Sequence, residues 1–211
     1  MRRVPLLPTL LVGLAVAAMI ALGFWQLDRK TQKETALAVF AANTLQPTIT
    51  IESGAADASL LFRHARSACQ AVTGWARQGG RGLQGLQGWR QIATCRTHAD
   101  ATLLVDMGVT RDPMFRPRWP GGIVSGTLTR APDHRPLIAS VFDSTPQPLM
   151  LVSDQAAPGL EPSAPPDIAN IPNNHLAYAV QWFLFAGVAV IIYALALRLR
   201  ARGAPHGGLR G

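Results

Sequence analysis

The chain has two long uncharged stretches near its ends and, between them, short apolar runs broken by glycine, proline and polar clusters. From Val4 to Leu27, "VPLLPTLLVGLAVAAMIALGFWQL" holds 24 residues without a charge, and between His175 and Arg198 a second run holds 22 with no Asp, Glu, Lys or Arg. At about 1.5 Å per helical residue the second run covers roughly 33 Å, enough to cross a hydrocarbon core, so each run is predicted as a transmembrane helix. A cleavable signal peptide is the rival reading of the first run. Its length exceeds the usual apolar region of such a peptide, and Asp28, Arg29 and Lys30 follow it in place of a small-residue cleavage site.

The helical pattern continues through "DRKTQKETALAVFAANT" to about residue 43, and Pro47 in "QPTIT" ends it. Six β-prone runs come next: "LFRHARSACQAVTGWA", "WRQIATCRT", "ATLLVDMGV", "GGIVSGTLTR", "PLIASVF" and "QPLMLVS". Their spacing predicts an antiparallel β-rich domain, a meander or small barrel. The fold class is therefore membrane α + β, with two transmembrane helices flanking that domain. The expected division is residues 1–28 for the first span and a short cytoplasmic N-terminus, 29–172 for an extracytoplasmic domain, 173–198 for the second span and 199–211 for a basic cytoplasmic tail.

Charge refines this picture. The chain has 20 Lys and Arg against 12 Asp and Glu, a formal net charge of +8, of which Arg2, Arg3, Arg198, Arg200, Arg202 and Arg210 supply +6. Residues 28–175 hold 14 basic against 12 acidic side chains, so the central domain is nearly neutral and nucleic acid is not an expected partner. Arginines at both ends place both termini in the cytoplasm, with membrane lipid as the surrounding partner. Arg29, Lys30 and Lys33 run against that rule on the outer side of the first span and call for another explanation.

Three stretches invite chemical readings. "RQGGRGLQGLQG", residues 77–88, is glycine-rich and basic but lacks the Gly-Lys-Ser/Thr ending and following apolar helix of a phosphate-binding loop, so it reads as a flexible hairpin connection. Cys69 and Cys95 are the only cysteines, without zinc or copper spacing; they are either two partly buried thiols or, in an oxidising compartment, a disulfide. In "IATCRTHAD", Cys95 near Arg96 and His98 loosely resembles the thiol site of a sortase, with His64 as another candidate base. A catalytic thiol needs a histidine within hydrogen-bond reach and an oxyanion donor, and this spacing places neither.

The sharpest candidate is "PNNHLAYAVQW", where the second span begins. Pro172 stops what precedes it, Asn173 or Asn174 suits an N-cap, and His175 falls in the first helical turn. A neutral imidazole at the membrane surface is a competent ligand for haem iron or another metal. Tyr178 and Trp182 lie on the same face at i+3 and i+7, although aromatic residues at this depth also form an ordinary interfacial belt. The first span ends with Trp25 and Gln26, followed by Arg29, Lys30 and Lys33 at i+3, i+4 and i+7 from Gln26. With both helix ends at one depth, an apolar and aromatic slot, an imidazole and a cationic rim come together, as haem and its propionates require. Binding of the same cations to anionic headgroups is the alternative.

The motifs "LGFWQLDRKTQKETAL" and "NNHLAYAVQWFLFA", with the two-span layout around a β-rich loop, resemble the surfeit locus protein 1 family of cytochrome c oxidase assembly factors. The resemblance implies a haem chaperone without catalytic turnover. It would bind haem a through His175, which matches the family's histidine at the head of the second span, and help deliver it to the haem-bearing core subunit of the oxidase. Family members usually show Gly-Trp after the central strand, whereas this chain reads "VDMGVTRD", with Val109 after Gly108, so no role of that turn is carried over. A mitochondrial homologue would need a presequence, and only three residues precede the apolar run, so a bacterial inner membrane is the expected location. A cofactor-free anchored β-domain acting through protein contacts, and a thiol-dependent surface enzyme using Cys95, are the alternatives.

Overall fold

A computed structural model describes residues 5–133, 135–136, 143 and 145–202. Helix α1 spans Leu6–Thr44, and helix α2 spans His175–Arg202. Between them lie strands β1 (Ile49–Thr50), β2 (His64–Cys69), β3 (Ala71–Arg81), β4 (Gln87–Arg96), β5 (Thr102–Thr110), β6 (Gly122–Arg130) and β7 (Leu149–Ser153). The chain divides into two compact units, one formed by the residues up to Ala36 and from Pro172 onward, the other by Leu37–Ile171.

In the second unit the strands form one sheet in the order β1-β2-β6-β7-β5-β4-β3. The expected antiparallel meander holds only for β3-β4-β5; the sheet is mixed, because β1 runs parallel to β2 and β7 parallel to β5. The cause is the insertion of β7 between β5 and β6, antiparallel to one and parallel to the other. All five β7 residues are buried, which explains a continuous apolar run in place of strict alternation. The run "PLIASVF", read as a further strand, falls mostly outside the described residues, as do the terminal residues Arg2, Arg3 and Arg210.

The first β-prone run is two strands, not one. β2 ends at Cys69 and β3 begins at Ala71, yet they stand second and last in the sheet order. A single intervening residue, Gln70, can join them only if the sheet curls back on itself. The Gln70 N–H donates to the Arg96 carbonyl at 2.9 Å, and a Cys69–Cys95 disulfide with a Cα separation of 5.2 Å ties β2 to β4 across the curl. Inside, Leu103, Val105, Leu128 and Leu151 are at most 1% exposed. Each such side chain contributes about 1.5–3 kcal/mol of burial free energy. The glycine-rich stretch is more ordered than a flexible connection: β3 and β4 pair through Gly79–Trp89 and Arg81–Gln87, with the Arg77 guanidinium 5.6 Å from the Trp89 ring centroid, leaving only 82–86 as the turn.

Gly108, in β5, has φ +123°, and a Cβ there would lie 2.6 Å from the Glu161 carbonyl oxygen. The close approach lets Val109 and Glu161 exchange backbone bonds of 2.7 and 2.9 Å. Val109 itself is 1% exposed, so an apolar residue packs where Gly-Trp was expected.

Candidate functional site at the helix ends

In the first unit the two helices pack antiparallel, since Thr9 bonds Tyr193, Gly23 lies under the Phe183 ring and Gln26 bonds His175. The less exposed positions of α1, Thr9, Val12, Val16, Met19, Gly23 and Gln26, recur at alternating steps of three and four. On α2 the matching series is His175, Ala179, Trp182, Ala186, Ala189 and Tyr193. This 3.5-residue repeat is the seam of a supercoiled pair. Ala179 and Ala186 are at most 5% exposed, and a Cβ on Gly23 would meet Phe183 Cε1 at 2.5 Å; small residues bring the backbones together where an apolar solvent gives no hydrophobic drive. Phe24 adds an edge-on contact to Phe183, with centroids 5.4 Å apart.

The seam ends in a polar contact at each end. From Gln26 to Thr9 is 17 helical residues, about 25 Å of rise, close to the span of a hydrocarbon core. At one end Thr9 and Tyr193 share a hydroxyl hydrogen bond. At the other, His175 Nδ1 lies 2.8 Å from Gln26 Oε1. An amide oxygen only accepts, so Nδ1–H donates, and in a neutral ring with that tautomer the lone pair is on Nε2. A ring so held by an outer hydrogen bond is the usual arrangement of a metal-binding histidine.

The neighbourhood of His175 follows from local sequence. The Asn174 carbonyl accepts the Tyr178 N–H at 3.2 Å, so the helix starts there and His175 is its first residue. Two residues earlier, Asn173 Oδ1 is buried without a hydrogen-bond partner among the described residues, which costs about 1–3 kcal/mol unless a ligand or water supplies a donor.

Of the residues expected at the site, His175 and Gln26 are brought into direct contact. Trp182 lies in the seam and packs edge-on to Phe185 at 6.2 Å. Trp25 and Tyr178 are 54% and 51% exposed and pair with no other ring among the described residues. Arg29 is exposed and donates to Gln32 at 2.6 Å, whereas Lys30 pairs with Glu34 at 2.7 Å. Lys33 is half-buried and makes no ion pair among the described residues. The Gly23–Phe183 contact was missed; the signal that could have found it is a glycine three residues before Gln26 in the seam repeat.

The thiol reading is overturned by the disulfide: Cys95 is bonded to Cys69 and 0% exposed, so it offers no thiolate. His64 is held between the Thr48 hydroxyl and the Asp154 carboxylate, each at 2.9 Å. Sequence reasoning also missed a buried ion pair, Arg90 with Asp106 at 3.4 Å. Burial pushes the Asp106 carboxyl above the usual carboxylate range, and Arg90, the Ser163 hydroxyl at 2.7 Å and the Gly108 N–H oppose that rise. The network fastens β4 and β5 to the loop at Ser163.

Two helices long and apolar enough to cross a membrane flank a mixed-sheet unit in sequence and meet in a polar contact, an arrangement consistent with the class of membrane-anchored domains. The model of the SURF1 family matches residues 13–187, and the chain belongs to that family. Comparison with curated proteins returned no match. SURF1 is a family of assembly factors, not known as enzymes, and membership is consistent with a cytochrome oxidase assembly factor anchored in a membrane.

Proposed function

We propose that this chain is an assembly factor for a haem-copper terminal oxidase that holds haem a at the outer ends of the two membrane spans, beside Gln26 midway along α1 and His175 at the start of α2, and helps its delivery to the haem-bearing core subunit. The observation that carries the reading is the Gln26–His175 bond, which joins the two helices and leaves Nε2 free as a ligand. Among the described residues no group of three or more His, Cys, Asp and Glu side chains could hold a bare metal ion. Haem iron needs one or two protein ligands, which a lone oriented imidazole satisfies. Bound there, haem would supply an iron centre for the core subunit; His175 would orient it, Trp25, Tyr178 and Trp182 would give the macrocycle apolar contact, and Arg29 and Lys33 would meet the propionates.

The unit containing the disulfide belongs on the oxidising side of a bacterial inner membrane, with both termini in the cytoplasm. Arg198, Arg200 and Arg202 close α2 in accord with that orientation. A phosphatase fusion near Gly85 should then be active, and strong activity of a cytoplasmic reporter at that point would reverse the topology. Haem binding is tested by a pyridine haemochrome spectrum of the detergent-purified chain from a haem a-producing host. A stoichiometric haem a signal is expected; none under conditions that load the oxidase itself would leave an anchored domain acting through protein contacts alone.

A further inference from the structure

The second unit has an unfinished sheet edge. β3 is the last strand, paired only with β4, and from Ala71 to Gly80 its outer edge makes no backbone hydrogen bond among the described residues. At the far end the chain begins to cover this edge: the Ala164 N–H donates to the Arg81 carbonyl at 2.8 Å, and Gly82 bridges Ser163 in antiparallel fashion. Pro165 and Pro166 follow at once, and a residue without an N–H cannot extend a ladder. The register of β3 breaks between Val72 and Gly74, and beyond that bulge the regular edge from Gly74 to Gly80, about 24 Å, stays open, a length that exposed strands rarely keep without a use.

Beside the open edge lies a cleft of about 530 Å³ lined by Val72 and Trp75 of β3 and by Pro117, Arg118 and Trp119 of the β5–β6 connection. Residues 71–96, the whole β3–β4 hairpin, hold four arginines and no Asp or Glu. Neither Arg77 nor Arg118 makes an ion pair among the described residues. Pairing of β3 with the β3 of a second copy would bring another Arg77 and Arg81 to the same edge, so self-pairing is opposed by charge.

We infer that β3 receives an extended acidic segment of a partner protein as an added strand, in line with Ser163–Ala164. Main-chain bonds along Gly74–Gly80 give the register, an apolar side chain enters between Trp75 and Trp119, and carboxylates meet Arg77 and Arg118. This inference is independent of the haem site and goes beyond it.

The test uses the full chain in detergent with two synthetic eight-residue probes. Both alternate Val or Thr with a charged residue, one bearing glutamates and the other lysines. The glutamate peptide should bind at least tenfold more tightly, slow amide exchange at alternate residues between Gly74 and Gly80, and quench tryptophan fluorescence. Arg77→Glu with Arg118→Glu should reverse the preference between the two peptides, an outcome that mere loss of fold cannot produce. Equal binding of both peptides, binding without β3 protection, β3 amides already protected in the free chain, or concentration-dependent dimerisation through β3 would each overturn the inference.

Discussion

Removing the Cys69–Cys95 bridge tests both the curled sheet and the compartment assigned to it. The bridge closes a loop with a sequence separation of 26. In the chain-entropy model such a loop restricts the unfolded chain by about 11.8 cal/mol/K, or about 3.5 kcal/mol at room temperature. The unit spans Leu37–Ile171, 135 residues, for which the unfolding entropy is about 0.28 kcal/mol/K. The double substitution Cys69→Ala, Cys95→Ala should therefore lower its Tm by about 12 °C, a shift to be read by tryptophan fluorescence of the detergent-solubilised chain. The cavity left at Cys95, 0% exposed, adds to that figure. Alkylation of the chain denatured directly from membranes should label neither cysteine unless reductant is added first. A fall in Tm below about 3 °C, or free thiols in the chain as it sits in the membrane, would refute the reasoning.

Two further outcomes follow from buried contacts. Arg90→Ala leaves the Asp106 carboxylate, 0% exposed, without its cation and should cost about 3–5 kcal/mol in the same unfolding assay. Because the folded state raises the Asp106 pKa above its ordinary value of 3.8, the native chain holds the proton more tightly in the interval between the two. Stability should thus fall as pH rises through that interval and recover on acidification, a dependence that Asp106→Asn should flatten. In the seam, Gly23→Leu should force Phe183 aside at a cost of about 1–3 kcal/mol and weaken the Gln26–His175 contact three residues away. The readout is loss of haem retention at unchanged expression.

The helices were legible because their uncharged runs are long and uninterrupted, and α1 ends at Thr44. The β-rich character was equally plain from alternating runs. Strand order was not, since the place of β7 between β5 and β6 is a long-range packing outcome with no local signal in "QPLMLVS". The glycine stretch at 77–88 misled because glycines weaken strand propensity, whereas cross-strand pairing and the Arg77–Trp89 contact hold the hairpin together. At the site, His175 and Gln26 could be nominated from cap and spacing. Their hydrogen bond could not, because it joins residues 149 apart in sequence and depends on the register between the two helices, set by Gly23, Ala179 and Ala186.

The most direct test of the central claim is the spectrum of the His175→Ala chain purified from a haem a-producing host. One residue at the start of a 28-residue apolar helix adds little to insertion, so expression and membrane placement should match the unaltered chain. The optical and paramagnetic signature of the haem should be lost or grossly changed. Gln26→Leu should keep the ligand but alter the signature through a freer ring, and Arg29→Ala should weaken retention with ligation unchanged. The same haem load and an unchanged spectrum in His175→Ala would contradict the account, leaving His175 as a hydrogen-bonding clasp between two helices with no iron to bind.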